Sequence, residues 1–401
     1  DPSTLQPTGG PITKDMNGPE VYATIFAVGP GKVDIDVIWT GSDDGLVHVT
    51  RNGGGDWTNV TPTDMPDFGR VSLIDASAFD AGKAYVAAKR PLLDDRAPYI
   101  WKTEDYGESW TRIVNGIPHG AYVHAVREDP TREGLLYAGT QRGVYISYDD
   151  GASWSELNPG LPAVPIVSMI VEENELVVAS HGRGFWVLDD IGPLRQWEPG
   201  MMDDVVKMFD PPAAYRSGPG ASLTFWLGFE PEEAQIEFLS MDGEVLRTLE
   251  SVPPTQGGGG GGFGRGGGFR AEAGMNTFEW NLTTESAVTF PGMILWGARS
   301  TAPIVPPGRY TARLTADRLT AETTLEVRRN PWITDVTDAD MVAQYEFAVQ
   351  IRDKVDEANG SVIAIRRMKY QLQERLEASD DASLARTAAA LDAAASEVEG
   401  N

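Results

Sequence analysis

The sequence predicts a mainly β protein: a partial β-propeller of about four blades, then an immunoglobulin-like β-sandwich, then a C-terminal helical segment. Three observations predict it. A turn of the form Ser/Thr-x-Asp-x-Gly-x-x-Trp returns at blade-like spacing, short alternating strands bounded by Gly, Pro and Asp fill the intervals, and near the C terminus the apolar period becomes helical.

The turns come first. They are TRNGGGDW ending at Trp57, TEDYGESW ending at Trp110 and SYDDGASW ending at Trp154, with the tryptophans 53 and then 44 residues apart. A degenerate copy, GFWVLDD, begins at Gly184, 41 residues after the equivalent Gly143. Asn52, Asp105 and Asp149 are expected to cap the turns by accepting backbone N–H groups, and the glycines to supply positive φ. Trp57, Trp110 and Trp154 are expected to pack back between sheets. These Asp-box residues read as structural, not catalytic.

The strands fill out each repeat. Tyr122–Val126, Gly134–Gly139, Gly143–Ser147 and Trp154–Leu157 make the clearest set of four. Residues 1–21 read as a lead-in, and residues 22–200 as propeller blades. Residues 205–330 read as a β-sandwich with strands such as Ser222–Gly228, Ala234–Leu239, Asn276–Leu282 and Gly308–Leu314. The segment 257–268, with six consecutive glycines, reads as a flexible loop in that domain. Residues 335–401 read as a helical hairpin and tail. Asp338 is the expected N-cap, Asn359-Gly360 the expected break before a second helix, and Ala382–Val398 an Ala-rich third stretch.

Composition narrows the function classes. With 33 Lys and Arg against 59 Asp and Glu, the 401-residue chain has a net charge of −26. Such a surface repels phosphate backbones and anionic lipid, which excludes nucleic-acid partners. No apolar run is long enough to insert in a membrane. There is no cysteine, hence no disulfide and no thiolate chemistry, which suits a secreted or periplasmic bacterial protein. No metal-ligand spacing and no phosphate loop occur, so neither metal nor cofactor is expected. The polar start Asp1-Pro2-Ser3-Thr4 reads as a cut inside a longer chain.

Beyond these readings, the chain resembles a known group. The residues that carry the likeness are Gly9–Asp15, Trp39–Thr50, Tyr122–Asp129 and Ser180–Asp190, with the Asp-boxes themselves. It looks like the large secreted bacterial BNR-repeat proteins: Vps10/sortilin-like, labelled glycosyl hydrolase, and related in architecture to xyloglucanases and sialidases. The resemblance implies a longer propeller region, of which this chain is a C-terminal portion. For activity it is a poor guide, because the label rests on the repeat.

Propeller topology places the Asp-boxes on one face and the inter-blade and second-to-third-strand loops on the other. The ligand-face candidates are therefore Asp43, Asp44, Arg70, Arg90, Asp94, Asp95, His124, Arg142, His181 and Arg183. Arg and His suit a carboxylate, and Asp suits sugar hydroxyls. The expected role is recognition of a glycan or peptide on this face. The alternative is a glycoside hydrolase, which would need a carboxylate from each of two loops; no catalytic residue is assigned. Four blades leave open ends, where Ile38, Leu46, Ile170 and Val177 are expected to face water. The expected partner is a further set of blades, from the same precursor or from a second chain.

Overall fold

The computed structural model describes residues 23–157, 160–252, 268–293, 302–378 and 381–399. The lead-in up to residue 21, and all of the glycine-rich segment except Gly268, lie outside them. The chain divides into two compact units, residues 1–195 and 196–401.

The first unit is a succession of antiparallel sheets in which chain order and spatial order coincide. The first sheet holds β1 (Ile25–Pro30), β2 (Ile38–Ser42), β3 (Val47–Thr50) and β4 (Thr58–Asn59). The second holds β5 (Arg70–Ala76), β6 (Ala84–Arg90), β7 (Asp95–Thr103) and β8 (Thr111–Arg112). The third holds β9 (Val123–Glu128), β10 (Leu136–Thr140), β11 (Gly143–Ser147) and β12 (Ser155–Leu157). The fourth holds only β13 (Ile166–Glu172), β14 (Glu175–Ser180) and β15 (Phe185–Leu188). After β15, Asp190 accepts the Gly192 N–H at 2.8 Å and the chain enters the short helix α1 (Gly192–Gln196). Among the described residues no strand pairs with the outer edge of β15.

The sheets pack face to face. Trp39, Val49, Val71, Ile74 and Trp101 fill the space between the first and second. Tyr85, Ile100, Val123, Leu136 and Trp154 fill the next, and Tyr137, Ile146, Ile166 and Met169 the last. Strand β6 is buried on both faces, so its sequence AYVAAKR reads as a nearly continuous run without alternation. Two glycines permit close approach: a Cβ on Gly41 would lie 2.2 Å from Val71, and one on Gly139 would lie 2.8 Å from the Ile166 carbonyl oxygen.

In the second unit, one sheet holds β16 (Val206–Met208), β18 (Ala221–Leu227) and β21 (Gly274–Trp280). The other runs β17 (Ala214–Arg216), β23 (Leu319–Arg329), β22 (Gly308–Ala316), β19 (Ala234–Leu239), β20 (Val245–Glu250), with β17 parallel to β23. Alternate residues point into one shared core: Leu223, Phe225 and Leu227 from one sheet, Ile236, Phe238, Ala312 and Leu314 from the other. The rings of Phe238 and Trp280 stack across it at 4.1 Å.

The helical region corrects two expectations. Helix α2 runs unbroken from Asp338 to Glu377, straight through Asn359 and Gly360, so there is no second helix there. The break signal is overridden by tertiary contacts. Asn359 is buried, and its side-chain amide donates to the Val288 carbonyl at 2.6 Å. The N-cap is Thr337, one residue before the expected Asp338; Thr337 and Asp340 form a reciprocal capping box. Helix α3 (Ala382–Glu399) folds back on α2, where Arg366 and Lys369 pair with Glu399 at 2.7 and 2.9 Å.

Candidate ligand-binding site at one end of the inner strands

The two ends of the first unit differ in chemistry. At one end lie the turns β3–β4, β7–β8 and β11–β12, and they share one hydrogen-bond set. Thr50, Thr103 and Ser147 hydroxyls donate to Asn52, Asp105 and Asp149 at 2.8–2.9 Å. The same side-chain oxygens then accept the N–H groups of Asp56, Ser109 and Ser153, again at 2.8–2.9 Å. Bonds from Ser109 hold Asp105 below the usual carboxylate range. For Asp149, burial pushes upward, but bonds from Ser153 and Ser147 outweigh it and the group is also depressed.

The tryptophans of these turns behave unequally. Trp110 donates its indole N–H to the Val60 carbonyl at 2.6 Å, and Trp154 donates to the Ile113 carbonyl at 2.9 Å. Each thereby reaches the sheet before its own. Trp57 has no sheet before it among the described residues and is 44% exposed, so its expected packing does not occur.

Behind these turns lies a buried polar network that the sequence did not suggest. Tyr85 donates to Glu128 at 3.0 Å and lies 2.5 Å from Asp150, while Lys83 pairs with Asp150 at 3.1 Å and Glu133 at 3.3 Å. Ser77 adds a bond to Glu128, and Arg127 pairs with Asp75 at 2.7 Å. Burial, then Glu128, drives the Tyr85 phenol far above its ordinary range. A Tyr–Glu pair is therefore present, but sealed between two sheets.

The opposite end carries the sequence-derived candidates. Asp43 accepts the Thr24 N–H at 2.9 Å, and the buried Asp44 accepts from Ser42. Both hold the β2–β3 hairpin. Asp95 accepts from Tyr99 at 2.8 Å and from the Ala97 N–H at 3.1 Å. Burial alone would raise its pKa, but those bonds and the Arg90 and His119 charges hold it low. Arg90 lies 3.8 Å from Asp95, and Arg96 lies 3.9 Å from Asp94, so this loop satisfies its own charges. Near this rim Trp39 and Tyr99 are buried, at 0% and 8% exposure.

Arg70 and His124 do converge, on a residue absent from the candidate set. Lys89, the penultimate residue of β6, stands opposite Arg70 in the β5–β6 ladder. Its ammonium lies 2.7 Å from Nδ1 of His124, whose Nε2 lies 3.1 Å from Oε1 of Gln141. These partners assign the tautomer: Nε2–H donates to Gln141, and Nδ1 accepts from Lys89. Burial, then the Lys89 charge, pushes the His124 pKa down to about 4, with His181 adding to the shift. Burial, then Arg70, pushes Lys89 down to about 8. Arg70 rests on the face of Phe26 at 4.9 Å. Arg142 and Arg183 stand exposed on the β10–β11 and β14–β15 loops. Lys89 escaped notice because it ends an apolar strand; only the Arg70–Lys89 register, unknowable before pairing, marks it.

Sheets of sequential antiparallel strands, packed face to face with repeated turns at one end, define a protein of β-propeller type. No protein-family model matches the chain. A xyloglucanase from a Paenibacillus species is 27% identical over 158 residues, which cover 37% of this chain and 15% of that protein. The chain thus spans a small part of that relative's length. YCF48 from Cyanidioschyzon merolae aligns at 19% identity over 44% of this chain and 54% of that one, with a TM-score of 0.31. YCF48 bound to D1 peptide aligns at 19% identity over 56% and 68%, with a TM-score of 0.33. The GH74 enzyme of Niastella koreensis aligns at 16% identity over 56% and 29%, with a TM-score of 0.31.

Proposed function

We propose that the chain is an extracytoplasmic recognition protein whose β-propeller blades, four in this chain, take a glycan or peptide ligand at the Lys89 end of the inner strands. One observation carries the reading. Arg70, Lys89, Arg142 and Arg183 have no carboxylate partner among the described residues, in a chain where acids outnumber bases 59 to 33. Cations left unpaired in such a chain are available to a ligand.

The hydrolase alternative finds less support. Glycoside hydrolysis needs one carboxyl with a raised pKa to act as the acid. At this rim Asp43, Asp44 and Asp95 all accept protein hydrogen bonds, and Asp95 is held low. The test is to screen the full chain against glycan and peptide arrays and to incubate it with xyloglucan and sialosides. Binding lost in the Arg70→Ala, Arg142→Ala, Arg183→Ala triple variant, without product release, is expected. Turnover of either substrate, or binding indifferent to the triple variant, overturns the reading.

Further blades complete the arc in this reading, on the same precursor or a second chain. Its support lies at the two ends. Ile25, Phe26 and Val28 of β1 and Val167, Ile170 and Phe185 of the fourth sheet are exposed. Of the four residues first expected there, only Ile170 is exposed; Ile38, Leu46 and Val177 are half-buried against their own sheets. The immunoglobulin-like assignment of the second unit belongs to the same reading, supported by its two sheets around one core.

A further inference from the structure

The ammonium of Lys89 has three N–H donors, and one is spent on His124. No acceptor among the described residues takes the other two. Arg70 faces it across the ladder and is likewise without a carboxylate, so two positive charges share a half-buried site. Removing a charge from water without a counterion costs stability. The arrangement is therefore unfavourable until an anion arrives.

We propose that Lys89 and Arg70 form a seat for the carboxylate of an extended peptide, with His124 and Gln141 holding the ammonium in place. The inference rests on the reading of this rim as the ligand face and names the group that anchors the ligand. Two donors on an ammonium beside a guanidinium fork match the two oxygens of a planar carboxylate. The surroundings select peptide over sugar acid. Leu92 and Leu93, on the turn three residues beyond Lys89, are 86% and 53% exposed and offer apolar contact. The groups that would bind sugar hydroxyls, Asp43, Asp44 and Asp95, are spent within the protein, and Trp39 and Tyr99 are too buried to stack on a ring.

The seat implies a pH signature. The groups facing Lys89 are Arg70 on β5, His124 on β9 and Gln141 beyond β10, with Arg90 beside it on β6 and His181 close enough to influence His124. His124 is neutral above about pH 4, and Lys89 loses its proton near pH 8 in the free protein. A bound carboxylate holds that proton, so affinity falls as pH rises above 8, by up to about tenfold per unit.

The experiment uses the full chain at about 0.15 M salt, which screens its net charge. The probes are three: random dodecapeptides carrying a single carboxylate (one Glu or a free C terminus), the same pool with Gln and an amidated C terminus, and oligogalacturonate. The carboxylate pool is expected to bind at pH 7, at least tenfold better than the amide pool, and to weaken between pH 8 and 9.5. Lys89→Met is expected to lose that binding while its melting temperature rises, because an uncompensated charge has been removed. Lys89→Arg is expected to keep binding and lose the decline with pH. Equal binding of the two peptide pools, preference for oligogalacturonate, no binding of any probe, or a lower melting temperature for Lys89→Met overturns the seat. Glycan or peptide binding that depends on Arg142 and Arg183 but not on Lys89 would leave the ligand-face reading standing while the seat falls.

Discussion

The indole N–H of Trp154 donates to the carbonyl oxygen of Ile113 at 2.9 Å, and this bond joins a turn of the third sheet to the residue that follows the last strand of the second. The indole is 5% exposed, so the contact combines burial with a satisfied donor. Trp154→Ala should lower unfolding free energy by about 3–5 kcal/mol, the usual cost of deleting a packed indole. Trp57→Ala should change it by less, about 1 kcal/mol, since that residue is 44% exposed and makes no bond to a preceding sheet among the described residues. Urea denaturation of both variants checks the contrast, and equal losses would refute the sheet-to-sheet role.

Exposed apolar side chains at both ends of the first unit should make the isolated chain self-associate at micromolar concentration. Sedimentation velocity should detect species larger than the monomer, and Ile25→Lys with Val28→Lys should shift the distribution towards monomer. A well-behaved wild-type monomer with cooperative melting would contradict the proposed further blades.

Acid should loosen the contact between the second and third sheets. For Asp150, burial pushes the pKa up, but bonds from Lys102 and Tyr85 and the Lys83 charge outweigh it and hold the group low. A carboxyl depressed in the folded state contributes stability that is complete above its unfolded pKa, about 3.9, and is lost as pH falls through the folded value. The melting temperature should therefore fall more steeply below about pH 4 in the parent than in Asp150→Asn. Parallel profiles would remove Asp150 from the account.

Helix α2 offers a test of opposite signs at adjacent residues. A Cβ on Gly360 meets nothing within 4 Å, so Gly360→Ala should stabilise by up to about 1 kcal/mol. Asn359→Ala removes the bond to Val288 and leaves its carbonyl unpaired, a loss of about 1–3 kcal/mol. Thermal melts followed at the helical band distinguish them. A loss at Gly360 would mean that the break signal has structural force.

These cases show where the sequence was legible. Asn52, Asp105 and Asp149 were readable because the turn is local: donor and acceptor lie within a few residues. Strands such as Ala234–Leu239 were readable because alternation reports a one-sided core. Asn359-Gly360 misled because its partner, Val288, lies 71 residues away. Trp57 misled because packing depends on a sheet that the described residues do not include. The Lys89–His124 pair was invisible for a similar reason: the two are 35 residues apart on different sheets.

The close approach at Gly41 and Gly139 has a geometric consequence. Both lie on second strands, β2 and β10, where a side chain would force neighbouring sheets apart. The first of these interfaces also holds Trp39, Trp101 and Trp110, and the second holds Tyr137 and Met169. The spacing of adjacent backbones is thus fixed where a glycine meets a β-branched neighbour, Val71 in one case and Ile166 in the other. Gly41→Val would push the first two sheets apart at that point and alter the angle between them.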